Sequence, residues 1–174
     1  MATMILSPDD TGVASTDWIA VGESTRHAAL RTDDGATSYV KCNDDNESMN
    51  IEFSNPTVAE GDIASIDSVR FLSSGKSAHR TTPSLVDIKF YAPPGFPESC
   101  TYLAHRSSYT PINGTARTTA PMGGAWTYAN LENFEMQCTK DGTVEVYLSY
   151  LVIEVTYTEA VSATHNATFF GANF

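Results

Sequence analysis

Three sets of side chains in this chain could do chemistry: four histidines, a series of adjacent carboxylates, and a scatter of tyrosines and tryptophans. A nucleophilic triad needs a Ser or Cys beside a His that a carboxylate orients. His27, His79, His105 and His165 stand in polar, loop-like stretches, with no Gly-x-Ser-x-Gly element in the sequence. Phosphate loops, dinucleotide loops and the paired-His metalloprotease helix are missing as well. The expectation is a protein with no catalytic residues, not an enzyme.

The carboxylates pose a metal question. Asp9-Asp10, Asp33-Asp34 and Asp44-Asp45 are neighbours, and Asn43 to Glu47 is a run of five oxygen-bearing side chains. Calcium takes roughly 6–8 oxygen ligands, but the glycine and closing glutamate of an EF-hand loop are absent here. Asp and Asn are ordinary turn residues, so solvated turns are expected, with no metal and no cofactor. Tyr39, Tyr91, Tyr102, Tyr109, Trp126 and Tyr128 could line a sugar-stacking face. Trp18 and Trp126 fit the core or the ends of the fold better, because tryptophan is buried on average.

The elements that must position these groups read as strands. Met49, Ile51 and Phe53 alternate with Asn50 and Glu52; Val69 and Phe71 alternate with Ser68 and Arg70. Val86, Ile88 and Phe90, then Phe134, Met136 and Cys138, repeat the pattern. Each run has one apolar and one polar face, as a half-buried antiparallel strand requires. Turn signals fall between the runs at Asn55-Pro56, Ser74-Gly75, Pro93-Pro94-Gly95, Asn113-Gly114 and Asp141-Gly142. Asp141-Gly142 predicts a hairpin between the runs flanking it. In Val144–Tyr157 the apolar phase switches near Tyr150 and Leu151, which predicts a bulge. Tyr128 to Phe134 predicts one or two helical turns with Leu131 and Phe134 inward.

The fold expected is all-β: an antiparallel, jelly-roll-like β-sandwich with a short helical turn and extended terminal arms. The divisions are an N-terminal arm over 1–16, the sandwich over 17–160 and a C-terminal aromatic arm over 161–174. At 174 residues, one domain with a sizeable core is expected. Twenty-one acidic against ten basic residues leave a net charge of -11, which argues against nucleic-acid and membrane partners. Met1 to Leu6 lacks the basic and apolar regions of an export signal, so synthesis in the cytoplasm is expected. The sequons at Asn46, Asn113 and Asn166 carry little weight in that setting. Cys42, Cys100 and Cys138 are too few and too far apart for a disulfide framework or a zinc knuckle, and read as small buried residues.

Several stretches together carry a resemblance. Trp18–Gly22 leads through His27-Ala28-Ala29-Leu30 to Asp33-Asp34-Gly35-Ala36-Thr37-Ser38-Tyr39-Val40. Ile66–Phe71, the Gly124-Ala125-Trp126-Thr127-Tyr128 turn with Leu131, and the closing run Val144–Tyr157 follow. This resembles tailed-phage virion structural proteins of the jelly-roll-like sandwich type, over most of residues 18 to 157. The resemblance implies a capsid decoration (cement) protein that binds the outer capsid surface and bridges capsid subunits. It also admits a head-fibre or tail-associated protein; a carbohydrate-binding module for host attachment is the reading from a different class. The partners implied are the major capsid protein or other virion proteins and further copies of this chain, with a trimer favoured, located in the virion. No catalytic residue carries over. The expected interface residues are Met4, Ile5, Leu6 and Pro8 at one end and Phe169, Phe170 and Phe174 at the other.

Overall fold

The computed structural model describes residues 1–14, 16–78, 84–90, 98–103, 108–132 and 134–161. The predicted alternation becomes a set of antiparallel strands. In chain order these are β1 (Ala2–Leu6), β2 (Pro8–Ala14), β3 (Trp18–Val21), β4 (Tyr39–Cys42), β5 (Ser48–Phe53) and β6 (Ile63–Ser77). β7 (Leu85–Phe90), β8 (Glu98–Leu103), β9 (Thr110–Asn113), β10 (Glu135–Asp141) and β11 (Val146–Glu159) complete them. Among the described residues, two four-residue helices, α1 (Arg26–Ala29) and α2 (Tyr128–Leu131), and one 3-10 turn interrupt the strands. Among the described residues no helix is long and apolar enough to cross a membrane.

Two sheets pack face to face, as the alternation requires. One has the order β3-β4-β11-β6-β9, with β1 added to β11; the other runs β2-β5-β10-β7-β8. Met49, Ile51, Val86, Ile88, Met136 and Cys138 point inward from the second sheet and meet Val40, Phe71, Leu148, Leu151, Ile153 and Val155 of the first. The two tryptophans close opposite ends. Trp18 is fully buried, and its indole N–H donates to the Glu47 carbonyl at 3.0 Å. Trp126 lies edge-on to Phe90, 6.1 Å between centroids, and donates to the Arg117 carbonyl at 2.9 Å. The inward Leu131 and Phe134 of the predicted helical segment are both buried.

Three expectations need correction. The first sixteen residues are not a free arm: Ala2–Leu6 pairs with Tyr157–Ile153 of β11, and β2 then joins β5 in the other sheet. Alternation along β1 sends Met4 (5% exposed) and Leu6 (0%) into the core. Second, Asp141-Gly142 makes no hairpin, because β10 and β11 belong to different sheets. Gly142, at φ +105, serves a crossing between layers, where a Cβ would stand 2.8 Å from the Ser84 hydroxyl. Buried Lys140 donates to the Gly142 carbonyl, and Asp45 accepts from its N–H at 2.7 Å. Third, Ser74-Gly75 makes no turn but lies inside the fifteen-residue β6. A side chain at Gly75 would press on the Tyr147 carbonyl, 2.9 Å from its Cβ, so the glycine admits close backbone approach.

The predicted bulge is present. The pairing of β11 with β6 skips from Leu148 to Tyr150, and the buried Ser149 hydroxyl donates to the Ser74 carbonyl. On the other edge of β11, β4 covers Val146–Leu148 and β1 covers Ile153–Tyr157. Leu30, just after α1, fills the gap by accepting from Leu151 N–H at 3.0 Å.

Candidate functional site

The outer face of the first sheet gathers the groups best suited to recognition. Tyr39 and Lys41 alternate with buried Val40 and Cys42 on β4, so both point outward. Register sets Tyr147 of β11 between Lys41 and Lys76 of β6. The bulge at Ser149 keeps Tyr150 on this face as well, opposite Ser74 and two residues along β6 from Lys76. Tyr109, just before β9, completes the cluster. Its ring centroid is 6.4 Å from that of Tyr39, and Tyr39 lies 5.5 Å from Tyr147. The rings are tilted by 48° and 64°, so they form facets and not a flat platform. All four tyrosines are half-buried; Tyr39, Tyr147 and Tyr150 are held on strands and Tyr109 beside one.

Charge is arranged around these rings. The Lys76 ammonium rests 4.6 Å from the Tyr109 centroid and 4.7 Å from that of Tyr147, within cation–π range of both. Lys41 donates to Glu145 at 3.0 Å, and the Tyr147 hydroxyl donates to the same carboxylate. Burial opposes the charge on Glu145, but these two hydrogen bonds more than offset it and hold the carboxyl below its usual range. The hydrogen bond to Glu145, then burial, push the Tyr147 phenol up to about 12. Burial raises Tyr109 further, with Tyr39 and Tyr147 adding to it, and its buried hydroxyl has no hydrogen-bond partner among the described residues. Below the cluster, Arg70 and Glu154 pair at 2.6 Å. At its rim Ile5 and Ile19 are exposed (41% and 47%), opposite Glu154 and Lys41 respectively.

The outer face of the second sheet is chemically different. Gln137 donates to Asn50 at 3.1 Å, Ser48 and Thr139 share a 2.9 Å hydrogen bond, and Lys89 pairs with Asp87 at 2.8 Å. Glu52 and Glu135 stand opposite each other in register, and burial followed by the Glu52 charge raises Glu135. Gln137 with Asn50 and Ser48 with Thr139 satisfy one another across strands, and leave fewer donors and acceptors for a ligand.

One arrangement has the outline of a hydroxyl–imidazole–carboxylate chain. Thr25 Oγ1 is 3.1 Å from His27 Nε2, and His27 Nδ1 is 4.0 Å from Asp10 Oδ1. Thr25 is the N-cap of α1, however, and its oxygen accepts from Ala28 N–H at 3.3 Å. The Asp10 side chain is 71% exposed, unlike the buried carboxylate that orients a catalytic imidazole. This is a helix start.

The acidic pairs also have local duties. Asp9 pairs with Arg31 at 3.3 Å, Asp34 accepts from Ser38 N–H and Oγ, and Asp45 braces the Gly142 turn. Asp17 beside Asp44 and Glu47 has a raised carboxyl, through desolvation and then those charges. No group of three or more His, Cys, Asp and Glu able to hold a metal occurs among the described residues.

Of the interface residues expected from sequence, Met4, Leu6 and Pro8 are buried within this chain's own body, and only Ile5 points outward. Phe169, Phe170 and Phe174 lie outside the described residues. Of the aromatic candidates, Tyr39 and Tyr109 come together. Trp126 is internal, Tyr128 donates to the Val58 carbonyl elsewhere, and the side chains of Tyr91 and Tyr102 lie outside the described set. Tyr147 and Lys76 were missed, although Tyr147 stands in the outward phase between Val146 and Leu148.

No family model matches the sequence, and no curated protein does. Among solved structures, the chain is similar to the CBM36-1 domain of a multidomain xylanase from the hindgut metagenome of Trinervitermes trinervoides. The TM-score is 0.48 at 10% identity, over 91% of this chain and 100% of that one. TmCBM61, solved in complex with β-1,4-galactotriose, gives 0.43 at 9% identity over 87% and 86%. A family 16 carbohydrate-binding module-2 gives 0.39 at 13% identity over 79% and 84%. At these scores the chain is assigned to none of these families.

Proposed function

We propose that this chain is a non-catalytic recognition module that binds a glycan on the outer face of the β3-β4-β11-β6-β9 sheet. The observation that carries this reading is the convergence of Tyr39, Tyr109 and Tyr147 with Lys41, Lys76 and Glu145 on one open face. A sugar presents an apolar C–H face and a rim of hydroxyls. Tyrosine rings suit the first, while charged donors and acceptors suit the second. Tyr39, Lys41, Lys76 and Tyr147 rise from paired strands, which favours a preorganised site. Their tilted rings suit a single residue or a chain end better than a flat polymer surface.

The experiment is a titration of the folded protein with a panel of oligosaccharides, repeated on Tyr39→Ala and Tyr147→Ala. Each substitution should weaken binding by about tenfold or more, the loss typical of a central aromatic contact, with the circular dichroism spectrum unchanged. Full-strength binding by both variants would move the site off this face.

A second reading is favoured by Ile5 and Ile19, whose exposed side chains flank the same cluster. On that reading the face packs against other virion proteins. The chain is then a capsid decoration protein contacting the major capsid protein, or a tail or fibre component, in an oligomer such as a trimer. Copy number in a particle separates these outcomes: hundreds of copies for decoration, a handful for a tail.

A further inference from the structure

Lys76 differs from four other cations that reach solvent among the described residues. Arg31, Lys41, Arg70 and Lys89 each have a carboxylate within ion-pair distance. Among the described residues no carboxylate lies within ion-pair distance of Lys76; its ammonium lies on the faces of Tyr109 and Tyr147. Glu145 feels the Lys76 charge but is already bound by Lys41 and the Tyr147 hydroxyl. In a chain with twenty-one acidic residues, a half-buried lysine with no acidic partner among the described residues sits against the aromatic cluster. Ring faces attract a cation without neutralising it, so its hydrogen-bonding capacity stays available.

Resting on the glycan reading above, we infer that the ligand of this face carries a carboxylate and that Lys76 is the residue that reads it: the site takes a short uronate-containing oligosaccharide. A carboxylate above Lys76 forms a charge-assisted hydrogen bond, while Tyr39, in edge contact with Tyr147, is placed to receive the sugar's apolar face. A neutral sugar over the same spot strips water from the ammonium and returns only hydroxyls, a poorer exchange. The net charge of -11 favours a short ligand. Each further carboxylate of a long polyuronate laid along the surface comes within about one Debye length, roughly 8 Å at physiological salt, of more acidic side chains and is repelled.

The test uses oligosaccharides of galacturonate, guluronate, mannuronate and glucuronate, each beside its methyl ester, together with a neutral glycan panel and an acidic hexapeptide. Affinities are measured for the full chain, Lys76→Met and Lys76→Arg, with thermal melts to check folding. At least one acid should bind roughly 10- to 100-fold tighter than its ester. Lys76→Met should erase that difference while Lys76→Arg keeps most of it. Equal binding of acid and ester, discrimination that survives in Lys76→Met, or preference for neutral glycans overturns the inference and leaves the glycan reading in place. Binding of the hexapeptide alone overturns both, and so does binding of no probe at all.

Discussion

Glu145→Gln isolates the hydrogen-bond network that frames the tyrosine face. Glu145 accepts from Lys41 at 3.0 Å and from the Tyr147 hydroxyl, and that second bond is the largest cause of the Tyr147 phenol standing at about 12. Burial of the ring survives the substitution; the carboxylate charge does not. Part of the rise should therefore disappear, so that Tyr147 ionises at a lower pH than in the unsubstituted chain. The sign for stability follows from the raised value. Tyr147 contributes stability fully below its ordinary pKa near 10, and loses it as pH rises towards about 12. For Glu145, held low, the contribution is present above its unfolded value and lost as pH falls through its folded one. The variant should lose both edges while giving up only about 0–1 kcal/mol near neutrality, because the Lys41 pair is partly exposed. The assay is alkaline titration of tyrosinate absorbance, with Tyr147→Phe run alongside to identify the Tyr147 step. An unchanged Tyr147 titration in Glu145→Gln would refute the argument.

Three further outcomes concern the body that carries the face. Gly114→Ala places a Cβ 2.5 Å from the Phe71 ring and should cost about 1–3 kcal/mol by overpacking, read from urea denaturation. Trp126→Ala removes a buried indole from contact with Phe90 and Phe134 and should cost about 3–5 kcal/mol, read from thermal melts. Burial pushes the Cys42 thiol up to about 11 and Cys138 to about 12, so both should resist alkylation at mildly alkaline pH until the protein unfolds, as peptide mass mapping can show.

The strands and their inward faces were legible because alternation is local: Met49, Ile51 and Phe53, or Val86, Ile88 and Phe90, announce a buried face without reference to anything distant. Sheet membership is not local. Asp141-Gly142 meets the requirements of a tight turn equally well between paired strands or between layers, and only the packing of β10 and β11 into opposite sheets decides which. Polarity around Pro8 and Gly12 made residues 1–16 read as an arm, although alternating Met4 and Leu6 already fitted a strand. The site was half legible for the same reason. Tyr39 and Tyr147 are 108 positions apart, and their contact depends on the register of β4 with β11. Lys76 was hidden by the Ser74-Gly75 pair, which read as a turn where β6 in fact continues.

The most direct test of glycan recognition on this face is a nitrogen–proton NMR titration of the labelled chain with the oligosaccharide panel. Saturable shifts are expected at Tyr39, Lys41, Lys76, Tyr109 and Tyr147, with Asn50, Gln137 and Thr139 on the opposite sheet unmoved. Shifts confined to that opposite face, or none with any glycan, would contradict it.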